Sequence, residues 1–220
     1  MWSLFLACAP GPSGPQALSF AGAPDCVRVD ISPDEAPTAF TVEAWVRGEP
    51  GAQAVPQPVA WWRGWFDLGQ DESGLASFVI GQDKGAYWSD SLMDGVVHHI
   101  AGTYDGGTGL AYLYVDGALA GSVSSAFLLD SAGDTLHLGC SDDGAEGFTG
   151  IVDELRVSSA VRYTGESFAV PDAAFDKDGD TLALFHLDEG EGEETASETG
   201  GLTGTITGAT WVEFSFLDGT

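Results

Sequence analysis

The chain has 220 residues, of which 34 are Asp or Glu and 7 are Lys or Arg, so its formal net charge at pH 7 is −27. The negative electrostatic field of such a chain repels phosphate backbones and anionic lipid headgroups, so we expect no nucleic-acid partner. The 31 glycines suit a chain with many turns, and seven tryptophans with 44% hydrophobic residues suffice for a large core. Three cysteines without CxxC spacing exclude a disulfide-dense scaffold and a paired-ligand zinc module.

The first ten residues, MWSLFLACAP, are almost wholly apolar and are followed by a Gly/Pro-rich tether that ends near residue 16. This stretch resembles the end of a bacterial lipoprotein signal, in which Cys8 would carry the lipid. It departs from that pattern at Phe5, where Leu is usual, and in having no basic residue before the apolar run. We therefore interpret residues 1–16 as an export or lipoprotein-like leader, with an apolar N-terminus of no targeting function as the alternative.

Export predicts an extracellular or cell-surface location, with a membrane contacted only through a lipid on Cys8. If Cys8 is lipidated, Cys26 and Cys140 are the two cysteines that remain and could form a disulfide, as exported proteins often do.

From Ala17 onward the sequence is a succession of short extended segments separated by Gly, Pro, Asp and Ser. In FTVEAWVR (40–47), alternate residues beginning at Phe40 are apolar, which is typical of a half-buried strand. Asp116-Gly117 between two extended runs predicts a tight hairpin turn. Ser158 is positioned to cap one helical turn through Ala160 and Val161, the only helix we expect.

The spacing of turn signals, about 8 to 12 residues, predicts an all-β sandwich or barrel, and residues 17–215 are long enough for one such domain. No internal repeat of roughly 20 to 50 residues is visible, which argues against a propeller or a solenoid.

Seven segments follow the order found in one known family. They are ALSFAGAPDCVRV, FTVEAWVR, HHIAGTYDG, LYVDG, FTGIVDELRVSSAVRY, DTLALFHLDEG and GATWV, which together run from Ala17 to Val212. In this order the chain resembles the laminin G-like jelly-roll domains of the concanavalin A-like lectin/glucanase superfamily. Departures are Val97, where the family usually has Trp before the paired histidines, and Ala21, where it often has Asp.

The resemblance implies a jelly-roll sandwich of two antiparallel sheets, usually an accessory module of a secreted or surface protein. It does not imply one ligand, because this fold hosts lectins, adhesion modules and hydrolases. Our hypothesis is a non-catalytic binding module whose partner is a glycan. The alternatives are a structural or adhesive module that binds a surface or extracellular protein and, third, a glycoside hydrolase or polysaccharide lyase.

The densest aromatic stretch is AWWRGWF (60–66). If the strand continues through it, Trp61, Arg63 and Trp65 project to one side and could form a platform on which a pyranose ring stacks. The alternative is that both sides of the stretch are covered by protein. The full predicted ligand-binding set is Trp61, Arg63, Trp65, Tyr87 and Trp88.

Alternating carboxylates in FDKDGDT could gather around a structural Ca²⁺, although the loop does not match an EF-hand. The resemblance adds Asp25, because jelly-roll domains of this superfamily often hold calcium near their first strand. The calcium candidates are Asp25, Asp176, Asp178 and Asp180. A solvated acidic turn is the alternative.

Two further patterns argue against catalysis. Strand alternation predicts that His98 and His99 point to opposite faces, so they cannot share a metal. In IVDELRV it likewise predicts opposite faces for Asp153 and Glu154, whereas hydrolases of this superfamily place a carboxylate pair on one strand face. We therefore expect no catalytic residues.

Overall fold

The computed structural model describes residues 14–31, 37–52, 55–81, 84–124 and 133–219. Its strands are β1 (Gln16–Ala21), β2 (Cys26–Asp30), β3 (Ala39–Gly48), β4 (Gln57–Trp62), β5 (Phe66–Gln70), β6 (Ala76–Ile80), β7 (Lys84–Tyr87), β8 (Val97–Asp105), β9 (Leu110–Val115), β10 (Ala118–Ser124), β11 (Thr135–Leu138), β12 (Thr149–Ser158), β13 (Thr181–Phe185), β14 (Glu194–Ala196), β15 (Thr203–Thr207) and β16 (Thr210–Glu213).

The strands form two antiparallel sheets of eight. The first sheet has the order β10-β9-β8-β3-β12-β1-β16, with β13 also pairing with β12. The second has the order β14-β15-β2-β11-β4-β5-β6-β7. Neighbours in space are often distant in sequence, as in a jelly roll, so each sheet is assembled from both halves of the chain.

The core lies between the two sheets. On β3 the predicted apolar residues Phe40, Val42, Ala44 and Val46 are all fully buried. The Phe40 ring meets rings of the second sheet, with its centroid 5.5 Å from that of Phe66. The prediction of an all-β sandwich of two antiparallel sheets is therefore confirmed.

The hairpin between β9 and β10 also forms as predicted. Asp116 and Gly117 have φ values of 51° and 75°, the left-handed pair that such a turn requires. The Asp116 carboxylate accepts a hydrogen bond from the His99 amide at 2.9 Å and lies 2.7 Å from His98 Nδ1. The hydrogen bond to Asp116 raises the pKa of His98.

The outer face of the first sheet is covered by the segment that follows β12. Glu43, on that face of β3, accepts hydrogen bonds from Arg156 at 2.9 Å and from the Tyr163 hydroxyl at 2.5 Å. The prediction of a helical turn after Ser158 is wrong, because β12 continues to Ser158 and residues 159–164 contain no helix. The Ser158 hydroxyl instead accepts a hydrogen bond from Arg162 Nε at 2.6 Å.

The described part of the chain contains one helix, the 3₁₀ turn Phe216–Gly219. No helix in the described ranges has the length and apolarity needed to cross a bilayer.

A disulfide joins Cys26, at the start of β2, to Cys140, which follows β11, with Cα atoms 5.2 Å apart. A disulfide-bonded sandwich is consistent with an extracellular protein. Cys8, the predicted lipidation site, and most of the predicted leader lie outside the described residues.

Candidate functional site

A row of polar and aromatic side chains crosses the outer face of the second sheet. His137 on β11 lies opposite Arg28 on β2 and opposite Trp61 on β4, and Trp61 lies opposite Asp67 on β5. Residues directly opposite in an antiparallel sheet project to the same face. The residues that alternate with them, such as Trp62 and Leu136, are fully buried in the core.

The chain reverses direction immediately after Trp62, so Trp65 does not lie where the sequence predicted it. The Trp65 amide donates to the Trp62 carbonyl at 2.9 Å, which closes a β-turn with Gly64 at φ +80°. Trp65 therefore folds inward, is fully buried and stacks on Trp62 with ring centroids 4.4 Å apart. The prediction that Trp65 shares an exposed face with Trp61 is wrong, since the alternation of a strand does not extend through a turn.

Trp61 remains partly exposed, and a tight acidic loop, Cys140–Gly147, lies beside it. A backbone bridge between Cys140 and Gly147 closes the loop. Within it, Asp143 Oδ1 accepts hydrogen bonds from the Ser141 hydroxyl at 2.8 Å and the Ala145 amide at 3.0 Å. The disulfide holds one end of this loop against β2.

The loop and the strand enclose a shallow depression of about 270 Å³. Its lining residues are Trp61, Arg63, Ser141, Asp142, Asp143 and Glu146. We call it the Trp61 depression. The exposed guanidinium of Arg63 lies 3.1 Å from Asp142 Oδ2. An aromatic surface edged by hydrogen-bonding groups is thus open to solvent at this point of the sheet.

The carboxyl groups of the depression have unequal proton affinities. Hydrogen bonds from the Ala145 amide and the Ser141 hydroxyl lower the pKa of Asp143. Burial, followed by the charge of Asp143, raises the pKa of Glu146. Burial and the charge of Glu146 raise the pKa of Asp67, which lies opposite Trp61, to about 7.

His137 lies beneath this group and has no hydrogen bond in the described part of the chain. Its side chain is 1% exposed, and both ring nitrogens lack a partner there. The His137 ring packs edge-on against Trp61 with centroids 5.5 Å apart, and Nε2 lies 3.9 Å from Asp142 Oδ1. Burial, followed by the charge of Arg28, lowers the pKa of His137, which favours the neutral imidazole.

Tyr87 and Trp88, the other two predicted ligand-binding residues, separate at the end of β7. Tyr87 is 46% exposed and lies opposite Ser77, and its ring stands over Gly85. Val79 on β6 lies opposite both Asp67 and Gly85, so Gly85 belongs to the same outer row as Asp67. Trp88 instead packs against the core and lies 5.6 Å from the His98 ring, so it does not extend the outer surface.

Two of the four calcium candidates, Asp25 and Asp178, accept hydrogen bonds from within the protein. Both Asp178 oxygens accept from the Arg162 guanidinium, at 2.7 and 2.9 Å, and Asp25 Oδ2 accepts from the Ala21 amide at 2.7 Å. Over the described ranges no three His, Cys, Asp or Glu side chains are grouped so that they could hold a metal. Calcium binding by Asp25, Asp176, Asp178 and Asp180 therefore stays a prediction, and the structure does not bring three of these carboxylates together.

The predicted separation of Asp153 and Glu154 is also wrong. A bulge in β12, with Glu154 at φ 52°, shifts the register between Asp153 and Arg156. Glu154 Oε2 accepts from the Phe175 amide at 2.9 Å and Oε1 lies 2.8 Å from His186 Nδ1. Asp153 lies opposite Trp45 on β3, and Trp45 packs with Phe175, the residue that Glu154 contacts. Both acidic residues therefore lie on the outer face of the first sheet, where the segment after β12 buries them.

Nothing in the sequence pattern indicates that the acidic loop, His137 or Asp67 belongs to a site. The stretch SDDGAEG is recognisable as an acidic turn, but only the pairing of β11 with β4 brings it beside Trp61. Long-range pairing of this kind leaves no local signal.

Comparison with known proteins identifies the fold. Residues 22–166 match the model of a laminin G-like family described as concanavalin A-like lectin/glucanases superfamily. No curated protein matches the sequence. A solved structure of a candidate carbohydrate-binding protein from Bacteroides ovatus superposes with a TM-score of 0.72 at 19% identity, covering 92% of this chain and 60% of that one.

Two other solved structures share the architecture at similar identity. They are a heptameric SAP-like pentraxin from Limulus polyphemus (TM-score 0.55, 15% identity, 88% of this chain and 96% of that one) and the LG4-5 domains of mouse laminin α1 (TM-score 0.51, 16% identity, 76% and 50%). The superfamily includes glucanases as well as binding domains. The match covers well over half of the sequence: the chain belongs to the concanavalin A-like lectin/glucanase superfamily as a laminin G-like domain.

Proposed function

We propose that the chain is a non-catalytic carbohydrate-binding module that holds a glycan on the outer face of its second sheet. One observation carries the proposal: the indole of Trp61 is partly exposed in a depression edged by Arg63, Asp142, Asp143 and Glu146. An indole face accommodates the C–H face of a pyranose, and charged groups at its rim exchange hydrogen bonds with ring hydroxyls.

The extent of the surface supports a chain of sugars over a single ring. Trp61 on β4 and Gly85 on β7 are three strands apart, which corresponds to about 14 Å at roughly 4.8 Å per strand. The exposed ring of Tyr87 stands over Gly85 at the far end of this row. An oligosaccharide laid across β4 to β7 would therefore meet an aromatic ring at each end.

Two further findings support a binding role outside the cell. The fold is shared with a candidate carbohydrate-binding protein, which is 19% identical to this chain, so this fold is compatible with glycan binding. The disulfide between Cys26 and Cys140 suits an oxidising compartment. The acidic pair Asp153 and Glu154, which resembles a hydrolase motif in part, is buried under a covering segment and is not open to a polysaccharide.

The test is glycan binding by the parent chain and two variants. We expect an oligosaccharide identified on a glycan array to lose about fivefold in affinity with Trp61→Ala, because stacking on an aromatic ring contributes about 1 kcal/mol. Tyr112→Ala is the matched control, since Tyr112 is partly exposed on the other sheet. Equal binding by parent and Trp61→Ala would refute the site. Capture of a surface protein with no glycan signal would favour the adhesive alternative.

A further inference from the structure

We propose that the Trp61 depression recognises protonated amines, so that its ligand is a glycan with free amino groups, such as oligomers of glucosamine. This inference rests on the proposed function and narrows its ligand class. It is carried by the charge of the depression, by the indole face and by the unpaired nitrogen of His137.

The charge of the depression is one-sided. Asp142, Asp143 and Glu146 line it, and Arg63 is the one basic residue of the lining, 3.1 Å from Asp142. The Arg63 side chain is 69% exposed, so water screens much of its charge. Ionised carboxylates only accept hydrogen bonds, whereas an ammonium group offers three donors and no acceptor. A sulfated or carboxylated sugar would be repelled at the same place.

The aromatic surface favours the same ligand. The face of an indole carries negative potential and attracts a cation within about 6 Å of its centre, most strongly among the aromatic side chains. Trp61 therefore contributes to binding of an amino sugar twice, by packing against the ring and by attracting the ammonium group. A neutral sugar would gain the packing alone.

His137 gives an observation independent of the acidic residues. Its side chain is 1% exposed, burial lowers its pKa, and no described residue donates to or accepts from either ring nitrogen in a hydrogen bond. Buried polar atoms are normally hydrogen-bonded, so an unbonded nitrogen that contacts Trp61 and faces Asp142 is able to take a further partner, which can be water or a ligand group. Nε2 lies 3.9 Å from Asp142 Oδ1, too far for a hydrogen bond between them. His137 is not itself a lining residue and Nε2 is closed to solvent, so an ammonium group held by Asp142 reaches this nitrogen only when the Trp61 and Asp142 side chains move apart.

The test compares two oligosaccharides of equal length that differ in acetylation. Calorimetric titrations at low ionic strength and mildly acidic pH use a glucosamine oligomer and the corresponding N-acetylglucosamine oligomer. We expect the amino form to bind at least tenfold more tightly, and its affinity to fall as salt is added. Asp143→Asn, which keeps the acceptor for the Ala145 amide, should weaken the amino form severalfold and the acetylated form much less, because only the amino form loses a charge partner.

The control variant is Asp172→Asn, an exposed residue outside the depression that changes the net charge equally. If it weakens binding as much as Asp143→Asn, the overall charge of −27 and not the depression attracts the ligand, and the inference is wrong. Equal or tighter binding of the acetylated oligomer would overturn the amine preference and leave the glycan proposal intact. Tighter binding of an oligolysine peptide would assign the depression to a basic protein instead.

The last readout is the ring ¹⁵N resonance of His137. On addition of the glucosamine oligomer we expect it to shift, because the unpaired nitrogen gains a hydrogen bond. An unchanged resonance with the oligomer bound would show that His137 does not contribute to the site.

Discussion

Trp61 and Trp65 are four positions apart and have different roles. Trp61 projects outward from the end of β4, whereas Trp65 enters the core because the chain turns at Gly64 between them. Gly64 was the available signal in the sequence, since a left-handed residue ends the alternation of a strand. The candidate ligand-binding surface therefore presents the indole of Trp61 alone, whereas a continuous strand would present those of both Trp61 and Trp65.

This difference separates a binding mutation from a folding mutation. We expect Trp65→Ala to lower the free energy of unfolding by about 3–5 kcal/mol, because it removes a fully buried ring stacked on Trp62. Trp61→Ala, at a partly exposed position, should cost much less. Chemical denaturation of both variants measures the contrast, and similar losses in stability would contradict the placement of Trp65.

Asp153 is a buried acid whose pKa is raised from 3.8 to about 8 by burial and by the charges of Glu154 and Asp188. Between these two pH values the folded protein holds a proton that the unfolded chain releases, so this group makes unfolding easier as pH rises through that window.

We therefore expect Asp153→Asn to be more stable than the parent above pH ~8, with little difference below pH ~4. A tenfold change in a proton equilibrium is worth about 1.4 kcal/mol, so the gain should be at least that large. The asparagine keeps an oxygen to accept from the Glu154 amide. Thermal unfolding across this pH range provides the measurement, and a pH-independent difference between the two proteins would contradict the raised pKa.

At the scale of elements, the disulfide connects the stability of the sandwich to the shape of the candidate site. It links β2 to the residue after β11 across 114 positions of sequence. The acidic loop that edges the Trp61 depression begins at that same cysteine. Removing the bond should therefore act on both folding and binding.

The double variant Cys26→Ser with Cys140→Ser tests this connection. We expect the free energy of unfolding to fall by about 2–5 kcal/mol, since the unfolded chain is no longer restrained. We also expect weaker oligosaccharide binding, because Asp142 and Asp143 lose one of their anchors. Parent protein treated with reductant should behave in the same way. Unchanged affinity in the folded double variant would show that the loop is held by its backbone bridge alone.

At the scale of the whole molecule, the sequence predicted the architecture better than the site. Alternation in FTVEAWVR and the Asp116-Gly117 turn depend on local chemistry, and both form as expected. The bulge at Glu154 and the burial of Trp65 could not be predicted, because they depend on register and on a turn within an apolar run. The meeting of Trp61 with Asp142 likewise requires strands from distant parts of the chain to pair.

The central claim is that Trp61 contacts the ligand, and the indole N–H resonances of the seven tryptophans test it most directly. The Trp61 signal is assigned by its absence from the spectrum of Trp61→Phe. On titration with a glucosamine oligomer, we expect this signal to shift in a saturable way while those of the core residues Trp62 and Trp65 stay in place. Saturable shifts at other tryptophans with an unmoved Trp61 signal would contradict the account.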